Sequence, residues 1–336
     1  MRVLEITERF GLDSLKIVDR PEPRVGPGQV LVQMRAFSLN YRDLMIVKGI
    51  YNPRLRLPLV PLSDGAGVVA TVGDGVTRFK AGDRVAGIFM QRWLCGELSD
   101  SKARSDLGGS LPGVLAEQVV FHEDGLVRVP EHLSDEEAAT LPCAGVTAWH
   151  ALVHAGRIKA GDSVLTQGTG GVSLFALQFA RLLGARVLIT SSSDAKLARA
   201  RDMGAAETIN YKTTPQWDKR VRELTGDAGV DHVIELGGAG TLPLSLRAVR
   251  LGGHISLIGV LTGGAGEVNP LPVLMKNVRL QGIFVGSRDI FEAMNRAIAL
   301  HRLRPVVDRT VAFTEIRAAL AHLESGAHFG KVCLRV

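Results

Sequence analysis

Gly168, Thr169, Gly170 and Gly171 are the residues whose types and spacing point most directly to chemistry. A glycine at 168 permits a sharp turn, and a glycine at 170 lets backbone approach a diphosphate with no Cβ in the way. The apolar segment from Val172 to Leu183 has helical character, so a helix starting at this loop aims unpaired N–H groups and its positive dipole end at the bound anion. Ser173 holds the third position of a G-x-G-x-x-G pattern, where a small side chain still lets helix and strand pack closely.

The elements needed to hold that loop are present on both sides. Ser163 to Gln167 is a short apolar run, Gly184 ends the helical segment, and Arg186 to Thr190 is a second β-rich run. Strand, glycine turn, buried helix and strand form the βαβ context in which such a fingerprint binds a dinucleotide. The alternation continues. Helices are expected at Lys196 to Met203, Trp217 to Leu224 and Leu242 to Val249, and strands at Thr208 to Tyr211, Val230 to Leu236, His254 to Gly259 and Arg279 to Val285. That totals six strands, the full doubly wound count. Two further helices, Asp135 to Leu141 and Thr147 to His154, precede the unit, the first capped by Ser134.

Bulk properties narrow the field. The 336 residues are 46% hydrophobic and 22% charged, which fits a globular chain of two domains. No run reaches the roughly 18 apolar residues of a membrane span. The early acids of MRVLEITERFGLDSLK leave no signal-peptide core, and an intracellular, cytoplasmic protein is expected. Cys95, Cys143 and Cys333 are too far apart for a disulfide framework or a paired-cysteine zinc module. The net charge of +6 is scattered rather than clustered, which argues against nucleic acid as a partner.

The first third reads differently. Met1 to Ile6, Gly28 to Ala36, Pro61 to Gly73, Asp83 to Phe89 and Ala116 to Phe121 are β-rich, with glycine punctuation between them. Residues 38 to 53 read as a short helix with a loop, and Met90 to Gly113 as a long loop. The change to regular alternation puts a domain boundary near Asp124 to Pro130. Beyond the last Rossmann strand, Ile290 to His301 and Phe313 to Glu324 have helical spacing, and Gly330 to Val336 is a closing strand.

The segments PLSDGAGVVATVGDGVTRFKAGDRV, LPCAGVTAW, the glycine loop and HFGKVCLRV, in that order, resemble the medium-chain dehydrogenase/reductase superfamily over essentially the whole chain. The resemblance implies an α/β protein. Residues 1–128 and 288–336 would form a GroES-like, partly open β-barrel catalytic domain, and residues 129–287 a Rossmann NAD(P)-binding domain, with the active site in the cleft. The zinc branch of the family takes ligands at the positions of Asn40, Ser63 and Cys143. Catalytic zinc needs three protein ligands from Cys, His or carboxylate. Asn and Ser are poor ones, so no zinc is expected there. The structural zinc lobe needs four cysteines where this chain has only Cys95. Asn40, Asp43 and the Ser63–Asp64 pair are similar to the zinc-free, quinone-oxidoreductase-like branch.

The same resemblance assigns roles. Tyr51 is similar to a tyrosine that donates a proton in enoyl-thioester reductases, with Tyr41 as second candidate. Asn40 matches a residue placed between nicotinamide and substrate, Thr147 one near the nicotinamide ribose, and Lys331 a cofactor contact, though it also reads as a surface lysine. Thr169, Gly171 and Val172 of the loop, with Gly259, Phe284 and Val285 at later strand ends, complete the cofactor-binding set. Acids at the end of the second Rossmann strand favour NAD; here Ser191, Ser192 and Ser193 stand there, with Lys196 and Tyr211 at positions similar to those that hold a 2′-phosphate. NADP(H) is favoured, and Asp194 keeps NAD(H) open. The expected activity is zinc-independent, NADP(H)-dependent reduction of an activated C=C or quinone-like carbonyl in a small-molecule substrate. Alternatives are an alcohol dehydrogenase and a non-catalytic NADPH-binding protein. Family members commonly pair the last Rossmann strand across two subunits, so a homodimer is expected.

Overall fold

Buried apolar residues alternate along Gln29–Ser38: Val30, Val32, Met34 and Ala36 point inward. This period of two makes the segment a strand with one face on the core. It is the centre of a seven-stranded sheet. Antiparallel partners are Asp64–Val72, Gln118–His122 and Lys331–Arg335; the sheet continues through Arg84–Gly87 to Leu126–Arg128 on one side and Val307–Ala312 on the other. Gly67 lets Asp64–Val72 lie close, since a Cβ there would sit 2.3 Å from the Gln33 carbonyl oxygen. Arg2–Ile6 and Leu15–Asp19 form a separate antiparallel pair.

The computed structural model describes all 336 residues, and its contacts divide them into two units, Met1–Val146 with Gly286–Val336, and Thr147–Val285. The division falls at Thr147 and Gly286 instead of 129 and 288. The helix Asp135–Ala139 packs on Gln29–Ser38 and Asp64–Val72, and Arg84 donates to Asp135 at 2.6 Å, so the residues after Pro130 belong with the first unit. The chain leaves that unit inside the helical run 141–155, where no linker composition marks the passage.

The second unit is a six-stranded parallel sheet in the spatial order Glu207–Asn210, Arg186–Ser191, Ser163–Gln167, Val230–Glu235, Val249–Leu257, Arg279–Gly282. Chain order reverses between Ser163–Gln167 and Val230–Glu235, which is the topological switch point of a doubly wound fold. The helix Gly171–Leu182 buries Leu174, Phe175, Leu177 and Phe179. The last strand is four residues long rather than seven; all four are exposed, and Val285 beyond it has a left-handed backbone. Residues 90 to 113, expected as loop throughout, contain the helical turn Asp100–Ala103. The short strands Leu15–Asp19, Leu126–Arg128 and Val307–Ala312 were not expected; their mixed burial gives no clean period. No helix is long and apolar enough to cross a membrane.

Two histidines lie inside this second sheet. His232 and His254 are register partners on adjacent strands with ring centroids 6.2 Å apart, and both are buried. Burial, reinforced by the Arg279 and His232 charges, lowers the His254 pKa to about 4. The folded state therefore rejects a proton that the unfolded chain accepts from about pH 6.5 downward. Stability is full above that value and is lost as pH falls toward 4. At about 1.4 kcal/mol per unit, discounted for partial solvent screening, the expected loss is about 2 kcal/mol. Urea unfolding of wild type and His254→Leu at about pH 7.5 and 4.5 checks this: the variant should lack that part of the acid sensitivity.

Candidate functional site

In the first unit, backbone geometry places a group of polar side chains inside the protein. Asn40 ends the extended segment and caps the helix Tyr41–Val47; its N–H donates to Asp43 Oδ2 at 2.8 Å. Asp43 is 0% exposed, and its Oδ1 has no partner. Ser63 Oγ donates to Asp64 Oδ1 at 2.7 Å, and the Cys143 N–H donates to Asp64 Oδ2 at 3.2 Å. Gly330, at φ 93, turns the chain where a Cβ would meet the Val306 carbonyl oxygen at 2.3 Å, and so delivers Lys331 inward. The Lys331 ammonium, 4% exposed, donates to Leu39 O and Asn40 Oδ1, each at 2.6 Å.

Lys331 is thus not a surface lysine, and its hydrogen bonds go to the Asn40 segment. The Asn40 amide is committed on one side: Oδ1 is taken by Lys331, while Nδ2 is buried near the Asp64 carboxylate, whose pKa it helps to lower, in a geometry short of a regular hydrogen bond. Burial raises the Asp43 pKa to about 6, against the Arg42 charge and with Asp64 adding to the rise. Burial also raises the Asp64 pKa, with Lys331 opposing. Tyr51 and Tyr41 are the accessible phenols, 38% and 44% exposed. The Tyr51 ring lies over the Arg42 guanidinium at 5.1 Å, and that guanidinium is fixed from the other contacts it makes: Asp106 at 2.5 Å, Leu107 O at 2.9 Å and the Phe89 ring at 4.6 Å. Arg42 and Asp106 were not singled out in the sequence; an arginine beside an asparagine cap gives no sign of being buried.

A zinc ion does not fit the donors at the positions where the family's zinc branch binds one. Asn40 Oδ1 faces an ammonium, the Ser63 hydroxyl is spent on Asp64, and burial pushes the Cys143 thiol well above its usual range, away from the thiolate that zinc requires. No group of three His, Cys, Asp or Glu side chains in the structure is arranged to hold a metal ion.

In the second unit the glycine loop has the geometry that its sequence demands. Gly168 adopts φ 76, a left-handed conformation that favours glycine, and its N–H donates to Thr190 O at 2.8 Å. Ser173 Oγ donates to the Gln167 carbonyl at 2.6 Å, so the third fingerprint residue ties helix to strand as well as being small. Gly170 caps the helix that begins at Gly171, followed by Val172, with Thr169 buried beneath. Ser191 ends the next strand; the Tyr211 N–H donates to its carbonyl at 3.1 Å, which brings Tyr211 beside the serines. Ser193 caps the helix carrying Lys196, with Ser192 partly exposed. Asp194 Oδ1 accepts from Asn210 Nδ2 at 2.8 Å. Gly259 lies where a Cβ would be 2.3 Å from Leu236 O. Val285 O accepts from His150 Nδ1 at 2.6 Å, Phe284 is exposed, and Thr147 is buried.

Sequence reasoning passed over one prominent group here. Glu235 is 0% exposed and Gln167 is buried beside it; Gln167 Nε2 donates to Glu235 Oε2 at 2.7 Å. An acid ending the strand VDHVIE just before Gly237–Gly238 is the signal that marks it.

The comparisons agree with this architecture. Residues 26–131 match the alcohol dehydrogenase GroES-like domain and residues 171–300 the zinc-binding dehydrogenase family. A zinc-type alcohol dehydrogenase-like protein of Schizosaccharomyces pombe is 43% identical over 100% of this chain and 99% of its own length. A quinone oxidoreductase of Rattus norvegicus is 30% identical, covering 99% and 97%. A mycobacterial protein solved in complex with NADPH superposes with a TM-score of 0.83 at 30% identity, with full coverage of both chains. The chain belongs to the medium-chain dehydrogenase/reductase superfamily, a family of NAD(P)-dependent oxidoreductases.

Proposed function

We propose that this protein is a zinc-independent, NADP(H)-dependent reductase of activated C=C bonds or quinone-like carbonyls. The observation that carries the reading is the donor set just described, in which a buried lysine ammonium is bonded to Asn40 Oδ1. A cation and a metal ion would compete for that oxygen. When bound, reduced nicotinamide supplies hydride to a carbon made electrophilic by conjugation. The residues must supply charge complementarity and a proton. Tyr51 is the proposed proton donor, from its phenol oxygen: it is accessible, and its ring is held by the fixed Arg42 guanidinium. Tyr41 is the second choice.

NADP(H) is supported by the three serines at the strand tip, by Lys196 and Tyr211 beside them, and by the Asn210 hydrogen bond that occupies Asp194 Oδ1. The serine hydroxyls can donate to a 2′-phosphate that an acid would repel. A homodimer through the edge strand Arg279–Gly282 is part of the same proposal. Its support is the exposed strand itself and the exposed side chains of Leu251, Leu271, Leu274, Met275 and Leu280. A cytoplasmic place is supported by three cysteines that are all free.

A cofactor-oxidation screen tests the function. NADPH and NADH are offered with 1,4-naphthoquinone, a conjugated enone, aldehydes and primary alcohols, before and after chelation. NADPH oxidation with the quinone or enone, unchanged by chelation and lost in Tyr51→Phe, is expected. Activity confined to alcohols and aldehydes, or abolished by chelation and restored by zinc, would overturn the reading.

A further inference from the structure

Glu235 ends the strand Val230–Glu235, and Gln167 ends Ser163–Gln167, its neighbour across the switch point. Nucleotides bind in the crevice outside these strand ends. The Glu235 carboxylate lies sealed below that position. Five donors converge on it. Gln167 Nε2 and Ser245 Oγ approach Oε2; the Gly237 N–H at 2.8 Å, the Gly238 N–H at 3.0 Å and Thr241 Oγ1 at 2.5 Å approach Oε1. Gln167 in turn accepts the Leu236 and Gly237 N–H groups, each at 3.1 Å, on its Oε1. The loop so gathered is latched at its far side by Thr262, whose Oγ1 donates to Gly237 O at 2.8 Å and accepts the Gly240 N–H at 3.0 Å.

A carboxylate suits so many donors because it accepts at about four lone pairs and donates nothing, and one of the five, the Gly237 N–H, is shared with Gln167 Oε1. A glutamine would turn an N–H toward at least one N–H. Gln167 cannot flip to relieve this without abandoning the Leu236 and Gly237 amides. We infer that Glu235 is a positioning residue for the nucleotide: out of reach of the ligand, it fixes the Gly237–Gly238 turn against the Gln167–Gly168 turn and so sets the shape of the crevice between them. This rests on the reading of the second unit as the nucleotide site.

NADPH binding to the purified full-length protein, followed by fluorescence titration, tests it. Wild type is measured first; if it binds neither NADPH nor NADH, the nucleotide reading itself fails. Given binding, Glu235→Gln should weaken NADPH at least tenfold, the scale of one buried donor left unpaired. The exchange Gln167→Glu with Glu235→Gln restores donor facing acceptor at the 167–235 contact, and should recover affinity to within about threefold of wild type. Thr241→Val, which removes one donor without creating a clash, should weaken NADPH about threefold or more and keeps the test open if Glu235→Gln fails to fold. As a control for plain destabilisation, Val233→Ala, in the core of the same strand, should lower the unfolding temperature and leave NADPH affinity unchanged. The inference is overturned if Glu235→Gln or Thr241→Val binds NADPH as wild type does, if the exchange restores stability without affinity, or if Val233→Ala weakens NADPH as much as they do.

Discussion

Replacing Lys331 by methionine should cost the first unit about 3–5 kcal/mol at neutral pH, the scale of two buried hydrogen bonds from a charged donor. Methionine keeps most of the volume, so the loss reports charge and hydrogen bonding rather than a cavity. The ammonium bonds Leu39 O and Asn40 Oδ1 and is the cation that opposes the rise of the Asp64 pKa. Without it, two buried oxygens lose their donor, and Asp64 keeps the Asn40 side chain, Ser63 and the Cys143 amide but no longer the Lys331 charge. The Asp43 carboxylate nearby loses a favourable charge as well. Because protons can replace the missing cation, the cost should shrink on acidification: urea unfolding at about pH 8 and pH 5 should show the larger penalty at pH 8. An equal penalty at both would mean that the ammonium matters only as a hydrogen-bond donor. Lys331→Arg offers no simple rescue, since a planar guanidinium presents its donors in a rigid fork instead of from one compact ammonium.

The outcome at Lys331 illustrates which features a sequence discloses. Residues with one steric or periodic meaning were legible. Gly168 needed a left-handed turn and has one; Ser134 capped its helix; the apolar strands of the second unit came in the doubly wound order. Residues whose meaning depends on what folds over them were not. A lysine after Phe329–Gly330 reads as surface until Gly330 is seen turning it beneath the Asn40 segment, almost 300 positions away in sequence. Arg42 and Asp106 find each other across 64 residues, and Glu235 and Gln167 across 68. In each case the sequence carries one half of a pair, and burial of a charge becomes intelligible only with the other half in place. The first domain boundary was misplaced for a related reason. Composition changes at Pro130, yet packing holds the chain to the first unit as far as Val146.

Asp43 shows the same dependence and leads to the second large effect. Burial carries its pKa from 3.8 to about 6. A folded state that holds a proton more tightly than the unfolded chain gains from acid. Relative to an unshifted carboxyl, Asp43 costs nothing below about pH 4, costs progressively more as pH rises to 6, and costs a constant amount above that. The shift of about 2 units corresponds to about 3 kcal/mol. Asparagine removes the charge while keeping an oxygen to accept the Asn40 N–H that Asp43 Oδ2 now accepts at 2.8 Å. The amide nitrogen would take the place of Oδ1, where the structure gives it no partner, and leaving its N–H groups unpaired adds a pH-independent cost of about 1–3 kcal/mol. Measured against wild type, Asp43→Asn should therefore be about 2–3 kcal/mol more favourable at pH 8 than near pH 4, on top of that constant cost. Parallel urea titrations of the two proteins between those limits measure the difference directly, and the pH at which its pH-dependent part reaches half its full value lies midway between the folded and unfolded Asp43 values. A difference independent of pH would assign the effect to packing and hydrogen bonding. A variant relatively less favourable at pH 8 than at pH 4 would mean that the ionised carboxylate, close to the Arg42 and Lys331 charges, contributes more as a charge than burial takes away. The native aspartate would then be a net stabilising member of the cluster, and the Lys331→Met penalty should fall in the Asp43→Asn background, since the two charges would be supporting each other.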